Sequence, residues 1–392
     1  MPWKVSDPLE QRYRFILDHQ SGLFRMKELC SQFGISRKSG YKWLERYRTG
    51  GLEALRDRST APRRSPQRMD SAIAPLLVSA RKAHPTWGPR KILAWVARKH
   101  PEVARHLPAA STVGDLFKRE KLVEPVRRRR PQTHPGVTPL HAMAPNDVWC
   151  ADYKGEFRLL DGVYCYPFTL TDAFSRYLLC CQAESSTTLL GTKQALTEAF
   201  RRFGLPRAIR TDNGTPFVGH GLSGLSQLAV WWIKLGIDHQ RIQPARPDQN
   251  GRHERMHKTL KAECTRPPEI SFAAQQARFD AFVNEFNRER PHEALGQQPP
   301  ESRYHSSPRA LPEVVPGPEY PAHYEIRKVD ANGRFKFRGT SWFVAHPLTE
   351  ELLGLVEIEE DVWSIQFYGH EIARLNPLLE TYVIKVSPMS PV

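Results

Sequence analysis

Three short segments of this 392-residue chain hold acidic side chains where chemistry is a better explanation than packing. Val148-Trp149-Cys150-Ala151-Asp152-Tyr153 puts an aspartate inside a strand-like run. Thr211-Asp212-Asn213-Gly214 follows the short strand-like run Ala208-Ile209-Arg210, so Asp212 is expected at a strand's C-terminal end. Pro247-Asp248-Gln249-Asn250-Gly251-Arg252-His253-Glu254 opens a helix and sets Glu254 in its first turns. The spacings are 60 residues from Asp152 to Asp212 and 42 from there to Glu254. Carboxylates this far apart converge when neighbouring strands and a facing helix carry them. Such a set suits phosphoryl transfer. In-line attack on a phosphodiester needs charge neutralised on the attacking and the leaving oxygen, and two divalent ions about 4 Å apart do this. Mg²⁺ takes hard oxygen ligands and keeps several waters, so a few carboxylates suffice. Asp152, Asp212 and Glu254 are therefore expected both as catalytic residues and as ligands of two Mg²⁺ (or Mn²⁺) ions.

Taken singly, each segment has a plainer reading. Asp-Asn-Gly is common in turns, and a lone strand aspartate can be structural. The third helix could be a solvated one held by a Glu254–Lys258 pair. Its face is nevertheless suggestive: Asn250, Glu254, His257, Lys258 and Lys261 fall at i, i+4, i+7, i+8 and i+11. That places a metal ligand beside groups expected to grip a DNA backbone, namely Asn250, His257, Lys258 and Lys261. Glu263 is the other acidic candidate here, but it lies nine residues beyond Glu254 and off that face. Asp172, in Leu170-Thr171-Asp172-Ala173, is expected to support a turn. Trp231-Trp232 is expected in a core.

The elements that must position these residues form a mixed α/β block. Strand-like runs at Val148–Leu159, Tyr164–Leu170 and Tyr177–Cys181 predict an antiparallel meander. Helices at about 188–203, 225–235, 249–263 and 272–289 alternate with short strands at 208–210 and 237–242. The order βββαβαβαα fits a mixed sheet flanked by helices.

Charge sets this block apart from what precedes it. The chain carries a net +15, yet residues 1–135 hold 29 basic against 12 acidic residues while the remainder holds 28 against 30. The excess positive charge is all in the first third, as expected of a nucleic-acid-binding segment joined to a near-neutral body. Asp7-Pro8 caps a helix with Leu9, Tyr13, Ile16 and Leu17 at helical spacing. A second helix has Met26, Leu29 and Phe33 on one face, and Ser36 caps a third. Tyr41, Leu44 and Tyr47 of the third helix are expected inward, leaving Arg37, Lys38, Ser39 and Lys42 outward where a recognition helix meets the major groove. A plain three-helix bundle with a solvated basic face is the alternative.

The Pro/Arg/Ser linker at 56–68, with Arg63 and Arg64, could lie along DNA. A second helical block at about 70–122 contains the turn Pro85-Thr86-Trp87-Gly88-Pro89, then Arg90 and Lys91 leading a helix with Ile92, Leu93 and Val96. Ser111 is expected to cap its last helix, which carries Val113, Leu116 and Phe117. Arg90 and Lys91 are candidate DNA contacts, as are Arg127, Arg128, Arg129 and Arg130 in the following linker. From about 320 onward, strand-like runs at Tyr324–Val329, Phe335–Phe337, Trp342–Val344, Leu355–Ile358 and Val362–Tyr368 predict a small β-barrel of the SH3 kind. The expected domains are thus a helix-turn-helix at 1–55, a second helical DNA-binding domain at 69–125, a basic linker at 126–144, the α/β core at 145–300 and the barrel at 320–380.

Other classes are disfavoured. No stretch approaches the roughly 20 apolar residues that cross a bilayer, and the start MPWKVSDPLEQ lacks the order of a signal peptide. A cytoplasmic protein without membrane partners is expected. Six cysteines with no CxxC spacing read as reduced, buried thiols.

Trp149-x-x-Asp152, Thr211-Asp212-Asn213-Gly214 and Asn250-Gly251-x-x-Glu254 together resemble the integrase-type catalytic core of retroviral integrases and bacterial insertion-sequence transposases, over roughly residues 145–300. The leader GISRKSGYKWLERYRTGGLEALRDRS also looks like that of such transposases. The resemblance implies an RNase H-like fold, the three acidic residues as metal ligands, and Lys258 and Lys261 near phosphates. It implies nicking at an element's terminal inverted repeats followed by attack of the freed 3′-hydroxyl on target DNA. Double-stranded DNA would be the partner, with at least two protomers joining two ends, at the nucleoid of a bacterial cell. The second gap holds 41 intervening residues, more than is usual in the family, and the Gly-rich stretch Val218–Leu225 accounts for the excess. The alternative function is a DNA-binding regulator, a domesticated transposase without catalysis. A ribonuclease of the RNase H type is a third reading, disfavoured by the basic helical leader.

Overall fold

Asp7 accepts a hydrogen bond from the Leu9 N–H (3.1 Å) and so starts α1 (Pro8–Gln20). Ser36 does the same for α3 (Arg37–Gly50) through the Ser39 N–H (3.2 Å), with α2 (Met26–Gln32) between them. In the computed structural model, which describes residues 7–58, 69–124, 142–219, 224–243, 251–384 and 390–391, these helices pack around Phe15, Ile16, Leu29, Cys30 and Leu55. The closest approach is at Gly40, where an added Cβ would lie 2.8 Å from Cys30 Sγ and 2.9 Å from Phe15 Cζ. This proximity fixes how α3 is turned. Trp43, Leu44 and Tyr47 face the core, whereas Tyr41, expected inward, is 59% exposed. Of the apolar residues at helical spacing in α1, Ile16 is buried and Leu17 is exposed. The outward face of the first turns of α3 includes Arg37, Lys38, Tyr41 and Lys42, with Ser39 half-buried beside them. Arg63 and Arg64 lie outside the described residues.

Residues 1–68 form one unit and 69–392 a second. The second begins with α4 (Ile73–Ala83), α5 (Pro89–Lys99) and α6 (Ala110–Arg119) around Leu77, Trp87, Ile92, Val113 and Phe117. Ser111 does not cap α6. The helix starts at Ala110 with Ala109 before it, so Ser111 falls inside the first turn. Arg127, Arg128, Arg129, Arg130 and Asn250 lie outside the described residues.

The sheet follows from strand composition. β1 (Val148–Tyr153) and β5 (Ala208–Thr211) are buried along almost their whole length, as central strands must be. They pair in parallel, and β5 pairs in parallel with β6 (Asp238–Arg241). On its other side β1 pairs antiparallel with β3 (Tyr164–Asp172), which pairs antiparallel with β4 (Leu178–Glu184). The expected first strand is shorter than Val148–Leu159: only a two-residue β2 (Phe157–Arg158) follows it, against the start of β3. The sheet order is therefore β6-β5-β1-β3-β4, with β14 (Ser390–Pro391) added beside β6.

Helices cover both faces. α7 (Leu189–Phe203) and α8 (Gln227–Lys234) pack with Trp149, Ala151, Phe168, Leu170 and Ile209 on one face. α9 (Gly251–Cys264) and α10 (Phe272–Arg288) pack with Cys165, Leu178 and Cys181 on the other. Trp232 is fully buried in the first of these cores. The six cysteines are free thiols.

The C-terminal strands β7 (Glu325–Lys328), β10 (Leu352–Glu359), β11 (Val362–Phe367), β12 (His370–Asn376) and β13 (Thr381–Ile384) form an antiparallel sheet in the order β13-β12-β11-β10-β7. A hairpin of β8 (Arg334–Phe337) and β9 (Thr340–Phe343) completes this part. Its core is shared with α8, because Ala229, Val230 and Ile233 sit among Phe335, Trp342, Leu355 and Phe367. Among the described residues no helix is long and apolar enough to cross a membrane.

Candidate active site

Strand alternation decides which way the acidic residues point. Along β1, Trp149 and Ala151 enter the α7/α8 core, so Cys150 and Asp152 face the α9 side. Along β5, Ile209 enters that same core, so Arg210 and the following Asp212 also face α9. The parallel register pairs Val148 with Ala208, Trp149 with Ile209 and Cys150 with Arg210. Continued by two residues, it sets Asp212 level with Asp152 on the next strand, about 5 Å away at the usual strand spacing. The Asp212 carboxylate accepts from the Gly214 N–H (3.0 Å), and an added Cβ at Gly214 would meet it at 3.1 Å. Glycine is what lets the Thr-Asp-Asn-Gly turn fold under its own carboxylate.

Glu254 arrives on α9. This helix is docked onto β3 by two buried histidines, His253 and His257. Thr169, paired with Asp152 in the β1:β3 register, places its Oγ1 2.7 Å from both His253 Nε2 and His257 Nε2, and donates to the Asp152 carbonyl oxygen (3.1 Å). Thr171 Oγ1 lies 2.8 Å from His253 Nδ1. Burial holds both imidazoles neutral, with the His253 pKa lowered to about 3 and that of His257 lowered to about 2. Exposed Glu254 lies between them in the first turn of α9.

The Asp152 carboxylate senses the other two. The Asp152 pKa is pushed up to about 7, first by burial, then by the Asp212 charge, with Glu254 adding a smaller push. Lys154 and a backbone hydrogen bond at Tyr153 oppose the rise. A buried carboxylate beside other negative charges marks a site that gains by taking a cation. Asp152, His253 and His257 also bring ligand atoms within 4.8 Å of one another. However, both ring nitrogens of His253 are already hydrogen-bonded to threonine hydroxyls, and His257 keeps only Nδ1, 3.8 Å from Asp152 Oδ2. The donor set that fits a hard divalent ion is the carboxylate oxygens.

His257, expected among the DNA contacts, is corrected: it is buried under α9, since the helix needs a second anchor one turn after His253. Lys258 and Lys261 are exposed on the outer side of the helix. Arg90 is exposed, whereas Lys91 is partly turned into the protein. Arg90 pairs with Glu293 (3.1 Å). Lys91 is partly buried, its pKa lowered to about 8 by burial and by Arg290, with Glu263 and Glu293 opposing. Glu263 itself is bound by Arg290 (2.5 Å) and by Thr86 Oγ1. Thr86 thereby ties the α4–α6 block to α9, and hydrogen bonds from Trp95 Nε1 (2.9 Å) and Lys99 Nζ (2.7 Å) to Glu289 tie it to the end of α10. Asp172 is structural: its carboxylate accepts from the Ser175 N–H (2.7 Å), Ser175 Oγ (2.5 Å) and the Asn146 N–H (2.8 Å). Sequence reasoning missed His253, Thr169 and Thr171. The i, i+4 spacing of His253 and His257 on a face shared with Met256, Leu260 and Cys264 was the available signal.

Known proteins match in the same places. Residues 142–247 and 235–300 match models described as integrase core domain. Residues 11–64 match a helix-turn-helix domain, and 39–117 a homeodomain-like domain. An uncharacterized 39.2 kDa protein of insertion element IS476 from Xanthomonas euvesicatoria is 26% identical over 233 residues, covering 58% of this chain and 63% of that protein. Its counterpart in IS407 of Burkholderia multivorans, a 31.7 kDa protein, is 28% identical over 158 residues, covering 40% and 54%. A Pol polyprotein of radiation murine leukemia virus is 32% identical over 143 residues, covering 36% of this chain and 21% of the polyprotein. The chain thus spans less than two thirds of the length of each of these relatives. Among solved structures, the HTLV-2 integrase catalytic core in complex with magnesium aligns at 18% identity and a TM-score of 0.34, over 42% of this chain and all of that one.

Proposed function

We propose that this chain, which belongs with the integrase-core proteins of insertion elements and retroviral Pol and carries helix-turn-helix domains ahead of that core, is a DNA transposase with a polynucleotidyl-transferase active site. The observation that supports this reading is the parallel β1:β5 register, which runs Asp152 and Asp212 to the same end of the two strands, with Asp212 and Glu254 both close enough to raise the Asp152 pKa.

Asp152, Asp212 and Glu254 would hold two Mg²⁺ or Mn²⁺ ions, which when bound neutralise charge on the attacking and leaving oxygens of a phosphodiester. The protein's own contribution is placement. β1 holds one carboxylate, the turn leaving β5 brings the second toward it, and the Thr169–His253–His257 network clamps the helix that brings the third. Lys258 and Lys261, one and two turns beyond Glu254, would meet the DNA backbone. The outward face of α3, with Arg37, Lys38, Ser39 and Lys42, would read duplex sequence at an element's terminal inverted repeats. On this reading the chain is laid out as a helix-turn-helix at 1–55, a second helical DNA-binding domain at 69–125, an RNase H-like core at 145–300 and an SH3-like module at 320–380. Joining two element ends requires at least two protomers.

The test is a nicking and strand-joining assay on linear DNA carrying the inverted repeats that flank the gene, with Mg²⁺, Mn²⁺ or chelator. Metal-dependent cuts at the repeat ends followed by joined products are expected. Tight binding with no cut under any metal would instead leave a DNA-binding regulator.

A further inference from the structure

Beside the acidic residues, on the same side of the sheet, lies a second cluster of the opposite charge. Arg210 of β5 is level with Cys150 of β1, two residues before Asp212 and Asp152 and facing the same way. At about 3.3 Å per residue this is a step of roughly 7 Å along the strands. Ala173, whose N–H donates to the Val148 carbonyl oxygen (2.9 Å), closes the same end. Two guanidiniums converge on the Ala173 carbonyl oxygen: Arg176 Nη1 at 2.9 Å, from the turn after β3, and Arg252 Nη1 at 3.4 Å, from the first turn of α9. Arg255, one turn further along α9, is exposed and lies near Arg176.

Three separate segments thus bring arginines together, and little opposes their charge. Among the described residues, Arg176, Arg252 and Arg255 have no carboxylate within ion-pair distance. Asp172 is nearby, but the Ser175 N–H, Ser175 Oγ and Asn146 N–H occupy its oxygens. Burial first, then Arg252, lowers the Arg176 pKa to about 10, with Arg255 contributing and Cys150 and Asp172 opposing. Like charges held together and partly desolvated destabilise a fold unless an anion completes them. Guanidiniums are the side chains best shaped for a phosphate, which they bind with paired hydrogen bonds.

We propose that Arg176, Arg252 and Arg255, backed by Arg210, form a binding site for a DNA backbone phosphate, one step along the strand from the phosphodiester held at Asp152, Asp212 and Glu254. This assignment rests on the reading of the acidic residues as a DNA-cleaving centre. Its function is to hold the strand in register, so that the scissile bond and no neighbour reaches the carboxylates.

The experiment uses the full chain, wild type and the double variant Arg176→Asn/Arg255→Gln. Asn suits position 176 because that residue has a left-handed φ of 67°. Inorganic phosphate should raise the wild-type melting temperature more than chloride at equal ionic strength, and the double variant should lose that difference. Without phosphate the double variant should melt no lower than wild type, since repulsion has been removed. Its affinity for linear duplex should fall roughly tenfold, and the slope of log affinity against log salt should shrink by about 0.9 for each DNA phosphate that is no longer neutralised. Cleavage should spread to phosphodiesters next to the normal one. A double variant that melts lower, or keeps both the phosphate effect and the wild-type salt slope, overturns the proposal. Should wild type cut no DNA with any metal, the catalytic reading fails on its own, while the phosphate and salt-slope measurements still decide the anion site.

Discussion

Cys150 and Arg210 stand level on neighbouring parallel strands, and the 60-residue offset of that β1:β5 register is also the spacing of Asp152 and Asp212, so both acidic residues follow the same end of the pair. A one-residue slip of β5 would turn Asp212 into the α7/α8 core and Ile209 out toward α9, so the hydrophobic core and the acidic site enforce the same alignment.

Asp152→Asn, Asp212→Asn and Glu254→Gln should each lower metal-dependent cleavage by at least roughly 10³-fold, the loss expected when several kcal/mol of charge stabilisation disappears. Binding to repeat-end DNA should survive, as read by mobility shift in the same samples. Near-normal cutting by any of the three removes that residue from the site.

Without metal, stability should fall as pH rises from about 4 to 7. Asp152 keeps its proton up to about pH 7 when folded, whereas the free side chain loses it near 3.8. In that window the native state binds more protons than the unfolded one, so rising pH favours unfolding. Asp152→Asn should flatten this slope and raise the melting temperature at about pH 7.5 by a few degrees. Millimolar Mg²⁺ should raise it for wild type and not for the variant. Calorimetry across pH, with and without chelator, checks both statements.

Glu263 separates structure from chemistry on α9. Glu263→Gln breaks a nearly buried pair with Arg290, side chains 17% and 7% exposed, and should cost about 3–5 kcal/mol. Glu254→Gln, on an exposed position, should cost little stability and abolish cleavage. Urea unfolding and cleavage per folded molecule, measured side by side, should show the two effects crossing over. Abolished cleavage in a fully folded Glu263→Gln protein would exchange their roles.

In the N-terminal helices, Gly40→Ala and Tyr41→Ala should differ in kind. The alanine methyl at position 40 meets Cys30 Sγ and Phe15 Cζ and should destabilise this unit by about 1–3 kcal/mol. Tyr41→Ala, on an exposed face, should change stability by less than about 0.5 kcal/mol while weakening sequence-specific duplex binding. Hydrogen exchange on the full chain together with a binding titration distinguishes them. Unchanged specificity in the Tyr41 variant would remove that face from the recognition surface.

Much was legible from local pattern alone. Asp7 and Ser36 mark helix starts because a short polar side chain can satisfy free N–H groups there. Asp152 and Asp212 could be placed on strands because buried parallel strands are short and apolar. Glu254 could be placed at a helix start, and the charge imbalance pointed to nucleic acid before any fold was known. Orientation was another matter. Tyr41 reads as core by helical spacing, but the close approach at Gly40 turns the helix and leaves it outside. His257 shares a helical face with Glu254 and Lys258, yet Thr169 on a strand 88 residues away pulls it inside. Arg176, Arg210 and Arg252 are scattered along the chain, and nothing in their spacing brings them together. Periodicity reports which residues share an element's face. Which face is buried, and what it meets, depends on packing between elements far apart in sequence, and only the folded structure contains that.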